Sequence, residues 1–136
     1  MATVLKTQSN PVAAPSLIAP VLADFAANLR YEDIPQAVCE RAKYLMLDAA
    51  GIALASTRFD FAHRSLSALS GLAGLDGGKS DSAVIGFAQR LPLRDAVQMN
   101  GILVHGLDFD DTHVPGVIHA TASAFPCALG VAAKLQ

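Results

Sequence analysis

The sequence predicts an all-α fold, a mostly helical bundle with at most one short strand. Three observations predict it. Apolar residues recur at the 3, 4, 7 spacing of a helical face in one segment after another. A single short run, Ser82-Ala83-Val84-Ile85-Gly86, has the β-branched character of a strand. The composition is alanine-rich, with 52% hydrophobic and only 16% charged residues in a chain of 136.

Residues 1–16 lack the charged and apolar regions of a signal peptide and read as a flexible leader. Residues 17–136 read as one helical domain. Ser16 caps a first helix that carries Leu17, Ile18, Val21, Leu22, Phe25 and Leu29, with Arg30 near its end. Tyr31-Glu32-Asp33-Ile34-Pro35 is a break, with Asp33 as the next cap and Pro35 in a first helical turn. The second helix runs from Pro35 to Ser56 and buries Val38, Ala42, Leu45, Met46, Ala49 and Ala53. Ala49-Ala50-Gly51 would let another helix approach closely. Phe61 to Leu72 is the third helix. Gly71, Gly74, Gly77 and Gly78 form a connection to the strand. Leu93 to Leu107 is helical, with Ala96, Val97, Met99, Leu103 and Leu107 inward. A loop with a turn at Pro115-Gly116 follows. The last helix spans Ala120 to Leu135, started late or kinked by Pro126.

Composition also excludes function classes. The length suits one small domain with a core. The apolar content exceeds what such a domain buries, so part of its surface should meet further chain or another subunit. The net charge of −2, without a basic block, gives no nucleic-acid footprint. Asp24, Asp48, His105 and Asp108 break the apolar runs, so none reaches a membrane span. Cys39 and Cys127 fit no ligand or redox motif and read as small buried hydrophobes. With no disulfide framework and no export signal, the expected compartment is the cytoplasm.

The chemistry concentrates between His105 and His119. This stretch holds three of the four histidines together with Asp108, Asp110 and Asp111. Asp108 and Thr112 stand four apart and would share a face on a helical turn. Asp108 is then a buried carboxylate beside a hydroxyl, and Asp110 points elsewhere. His119 can fold back toward Asp108. A carboxylate and an imidazole form a workable proton-transfer pair. Asp110, Asp111 and Thr112 have a plainer alternative as caps of the following turn. His105, one turn before Asp108, suits a supporting hydrogen bond, and His63 is an exposed helix position. Asp and His are also metal-ligand types, but the spacing matches no metal motif and ranks below proton transfer.

Asn100-Gly101, then His105-Gly106-Leu107-Asp108-Phe109-Asp110-Asp111-Thr112-His113 and His119, closely resemble the signature of the MmgE/PrpD family. That family includes 2-methylcitrate dehydratase, cis-aconitate decarboxylase and iminodisuccinate epimerase. Leu22 to Arg30, Glu32-Asp33-Ile34-Pro35, Leu47 to Ala55 and Ser82 to Gly86 are similar to further family segments. The resemblance covers Leu17 to the end of the chain. It implies a helical fold, a metal-independent lyase of small polycarboxylates without an iron–sulfur cluster or other cofactor, and a homodimer. It implies Asp108, Thr112 and His119 as substrate-site residues. The expected catalytic groups are Asp108 and His119, the expected substrate contacts Thr112, Asp111 and His113, with His105 and Asn100 in support. One departure is His119-Ala120, where the family usually has His-Pro. Another is length. The resemblance implies that further His and Lys residues and a lid domain lie beyond this stretch, so that the chain reads as an inactive N-terminal portion.

Other classes compete. An epimerase of the same family needs the same proton-transfer groups. Asp108-Phe109-Asp110-Asp111-Thr112 also fits the D-x-D-x-T nucleophile pattern of dehalogenase-like phosphatases, which requires a hydrophobic strand just before it. A truncated family member that only packs or dimerises is the non-enzymatic reading.

Overall fold

The computed structural model describes residues 17–73, 75 and 78–136. The expected leader, the cap at Ser16, and Gly74 and Gly77 of the glycine connection lie outside them. The described residues form two compact bodies that divide after Pro35.

The first body holds helix α1, Ile18–Asn28, and a 3-10 turn at Tyr31–Asp33. Pro20 sits in the first turn of α1, where its missing N–H costs nothing. Asn28 closes the other end by donating from Nδ2 to the Asp24 carbonyl at 2.9 Å. The expected face forms, but Ile18, Val21, Leu22 and Phe25 all stay exposed.

The second body contains α2 (Gln36–Ser56), α3 (Asp60–Ala73), β1 (Ser82–Ala83), β2 (Arg90–Leu91), α4 (Leu93–His105), a 3-10 turn (Val114–Gly116) and α5 (Ala120–Leu135). Helix α4 is its axis and packs against α2, α3, α5 and the strand pair. Ala96, Met99, Asn100, Leu103 and Val104 are its buried face, the i, i+3, i+4, i+7, i+8 pattern of an inward stripe. Val97 is only half-buried, and Leu107 lies beyond the helix because α4 stops at His105. Asp95, buried in the first turn, is held by the Arg94 guanidinium at 2.8 Å and by the positive end of the helix.

Helix α2 departs from the expected face. Val38, Ala42 and Met46 are exposed and Leu45 is half-buried, while Ala49, Ile52, Ala53 and Ser56 are buried. The reason is that Leu45, Met46 and Leu47 place apolar groups on several faces, so spacing alone does not choose one. The small residues choose it, because Ala49, Ala53 and Ser56 admit neighbouring helices closely. Ser56 Oγ donates to the Leu103 carbonyl at 2.6 Å, joining α2 to α4. Gly51 takes no part in this approach; it is exposed, with open space where a Cβ would stand.

The strand is half of a hairpin. β1 pairs antiparallel with β2, Ser82 opposite Leu91 and Ala83 opposite Arg90. Val84 to Gly86 leave the ladder for a turn, with Gly86 at φ +74, a conformation that glycine adopts without strain. Asn100 ties the hairpin to α4. Its Oδ1 accepts from the Ile85 N–H at 2.8 Å and its Nδ2 donates to the Ala83 carbonyl at 3.2 Å.

Pro126 neither delays nor ends α5, which begins at Ala120. Its ring is buried, and it has no N–H to give to the Ala122 carbonyl. Gly101 of α4 lies against that carbonyl, where an added Cβ would come within 3.1 Å. Gly130 likewise admits Val97 and Leu93. The cysteines depart from expectation: Cys127 is exposed, Cys39 is half-buried, and neither forms a disulfide. No helix among the described residues is long and apolar enough to cross a membrane.

Candidate active site

The site is the connection between α4 and α5. Gly106 ends α4 by donating to the Ile102 carbonyl at 2.8 Å. A side chain there would meet the Phe61 ring, so glycine lets α3 close on the helix end. Asp108 then donates its N–H to the His105 carbonyl at 2.8 Å and turns back at φ +56, a left-handed position that Asp tolerates better than most residues. His113 N–H donates to the Ile118 carbonyl at 2.9 Å. This bridge closes the loop around the Val114–Gly116 turn and returns the chain to His119, the residue that opens α5.

The reversal at Asp108 corrects the expected roles of the carboxylates. No helical turn runs from Asp108 to Thr112, so the two share no helical face, and Thr112 is exposed. The Asp108 side chain is 81% exposed, whereas that of Asp110 is 1% exposed. The buried carboxylate is therefore Asp110. A positive φ at one residue sends the alternate side chain inward, which the sequence spacing alone did not disclose.

Both imidazoles converge on Asp110. Its Oδ1 lies 3.1 Å from His105 Nδ1 and 3.2 Å from His119 Nδ1. The second contact is out of line for a hydrogen bond. His119 Nδ1 is a buried nitrogen without a hydrogen-bond partner among the described residues. On the opposite edge of the ring, His119 Nε2 stands 3.7 Å from Asp108 Oδ1. The two rings meet edge to face with centroids 4.8 Å apart. His105, His119, Ala122 and Ser123 line an open cavity of ≈330 Å³.

The remaining candidates have local tasks. Asp111 Oδ1 accepts from the Thr121 N–H at 3.0 Å and so caps α5, which is the plainer alternative for an aspartate here. His113 Nδ1 accepts from the Gly116 N–H at 3.1 Å, inside its own turn. Both ends of the Asn100 amide bind the hairpin. His63 is exposed and packs edge to face on Phe87. Arg41 and Tyr44 of α2 share a cavity of ≈460 Å³ with Phe109 and Asp111. Sequence distance had hidden this cation beside the acidic loop.

Donor atoms of His105, Asp108, Asp110 and His119 lie within 4.8 Å of one another, as the ligands of a metal would. His119 turns its two nitrogens to two different carboxylates, an arrangement that serves proton transfer and equally a metal ligand backed by a carboxylate. The phosphatase pattern fails on its context, because the element preceding Asp108 is helix α4 and not a strand.

The MmgE/PrpD N-terminal domain family matches residues 21–136. A cis-aconitate decarboxylase of Aspergillus terreus is 29% identical over 102 residues, which cover 75% of this chain and 20% of that protein. A cis-aconitate decarboxylase-like protein, oryM, of Aspergillus oryzae is 27% identical over 115 residues, 85% of this chain and 23% of that protein. The chain thus spans about a fifth of the length of these relatives.

Proposed function

The chain belongs to the MmgE/PrpD family, and from that premise we propose that it carries the proton-transfer residues of a lyase acting on small polycarboxylic acids. The reaction is of the 2-methylcitrate dehydratase or cis-aconitate decarboxylase type. One observation supports it above the others: His119 is held between two carboxylates, with Nδ1 beside Asp110 and Nε2 beside Asp108.

Both reactions need a group that moves a proton at carbon. Dehydration removes a proton from carbon and protonates the departing hydroxyl. Decarboxylation releases carbon dioxide and protonates the carbanion left behind. Asp108 and His119 take these roles, one as acid while the other acts as base. Thr112, Asp111 and His113 stand on the loop as contacts for the substrate. His105 supports from α4 through its contact with Asp110, while Asn100 of the same helix anchors the hairpin. Asp108, Asp110 and Asp111 would repel a polyanion unless cations answer its carboxylates. Arg41 is one such cation, and the others come from outside this chain. No metal or other cofactor takes part. The protein works in the cytoplasm as a homodimer, and the apolar face of α1 is surface available for association.

The test joins this chain, in place of the matching segment, to the rest of the Aspergillus terreus relative. Cis-aconitate and 2-methylcitrate are then supplied with and without EDTA. The expected result is turnover of one acid, insensitive to EDTA, and none by the 136-residue chain alone. Failure of a folded chimera on both acids, or loss of activity in EDTA, would contradict the reading.

A further inference from the structure

The geometry points to Asp110 as a positioning residue that fixes which nitrogen of His119 does the chemistry. The inference rests on the reading of this cluster as a proton-transfer site, and it concerns a residue to which that reading gave no role.

A carboxylate as fully buried as that of Asp110 needs partners. The partners here are two imidazoles, which present Nδ1 to the same oxygen at 3.1 and 3.2 Å. A carboxylate only accepts hydrogen bonds. The hydrogen of each neutral ring therefore belongs on Nδ1. The opposite tautomer would set a lone pair of the ring against the lone pairs of a buried carboxylate. His119 Nδ1 is also the buried nitrogen that lacks a hydrogen-bond partner among the described residues. Such a nitrogen calls for an acceptor. Asp110 Oδ1 stands at the required distance, 3.2 Å.

The consequence falls on the far side of the ring. With the hydrogen on Nδ1, the lone pair of His119 is on Nε2, which faces Asp108 Oδ1 at 3.7 Å. Asp110 thereby makes Nε2 the nitrogen that takes or returns a proton. A third group that orients a catalytic imidazole in this way is a recurring arrangement in proton-transfer sites. Here the carboxylate is shared with His105, so one residue sets both rings. Among the described residues, the charged and titratable groups that face the two rings are Asp110 and Asp108 from the loop, and the rings of His105 from α4 and His119 at the start of α5 face each other.

Histidine ¹⁵N spectroscopy of the labelled chain tests this at a pH where the rings are neutral. Only four histidines are present. His105 and His119 should carry their hydrogen on Nδ1. His113 is an internal contrast, because its Nδ1 accepts from Gly116 and its hydrogen must sit on Nε2. Asp110→Ala removes the oxygen that both Nδ1 atoms face and leaves neither ring an acceptor there. It should convert at least one of the two rings and leave His63 unchanged. Asp108→Asn should leave His119 in its Nδ1–H form, and this variant decides the matter if Asp110→Ala does not fold. His119 found with its hydrogen on Nε2 in the native chain would overturn the proposal. So would two unchanged rings in folded Asp110→Ala, or loss of the Nδ1–H form in Asp108→Asn. The spectrum needs no substrate, so an inactive chimera would count against the lyase reading and leave this one standing.

Discussion

His119 Nδ1 lies 3.2 Å from the carboxylate of Asp110, across the Val114–Gly116 turn. The turn matters because it returns the chain to α4. Asp110 comes off the end of α4, His119 opens α5, and the His113–Ile118 bridge holds the two ends together. Geometry at the site is therefore set by the packing of α4 on α5, with Gly101 and Gly130 making the close approach possible.

Gly106→Ala should weaken both the fold and the site. The added methyl would press on the Phe61 ring and the Ile102 carbonyl. Overpacking of this kind costs about 1–3 kcal/mol. Thermal unfolding should show the loss, and the ring signals of the neighbouring His105 should shift. An unchanged melting temperature would mean that α3 does not close on the end of α4.

Asn100→Ala should loosen the hairpin more than the helices. The Ile85 N–H and the Ala83 carbonyl would lose their partners, and each such part-buried hydrogen bond contributes about 0.5–1.5 kcal/mol. Amide exchange should accelerate at Ile85 while Met99 and Leu103 keep more of their protection. Uniform acceleration throughout α4 would assign Asn100 to the core at large.

The fold class was legible because the buried faces of α3 and α4 follow the helical period closely, as Met99, Leu103 and Val104 do. The face of α2 was legible only in Ala49 and Ala53; Ile52 and Ser56 were missed and Val38, Ala42 and Met46 lie exposed, since its apolar residues surround the helix and its neighbours choose the face. Arg90-Leu91 was missed as a strand because two residues carry no alternation. At the site, the loop and the pairing of Asp108 with His119 were legible from the cluster of residue types. The burial of Asp110 was not, because it depends on the positive φ of Asp108. Arg41 approaches from another helix, and no spacing rule within the loop reveals it.

Lys134→Met should restore ordinary titration to Asp81. The hydrogen bond from the Lys134 ammonium, foremost, holds this carboxyl below its usual value of 3.8. A depressed folded value means that the pair stabilises the fold above the ordinary aspartate range. That contribution is lost as pH falls through the lowered value. The Asp81 side chain is half exposed, so solvent screens the effect. Carboxyl ¹³C shifts followed against pH should move the Asp81 midpoint upward in the variant, and an unmoved midpoint would contradict the pairing.

The most direct test of the central claim, that Asp108 and His119 act together, is a comparison of turnover rates in the chimera. Asp108→Asn, His119→Gln and the double variant are compared with the parent. Each single change should cost about 10²–10⁴ in rate, the usual loss of a positioned acid or base. Groups that act as a unit are non-additive, so the double variant should be little slower than the slower single one. Full activity in either folded single variant, or losses that multiply in the double, would contradict the account.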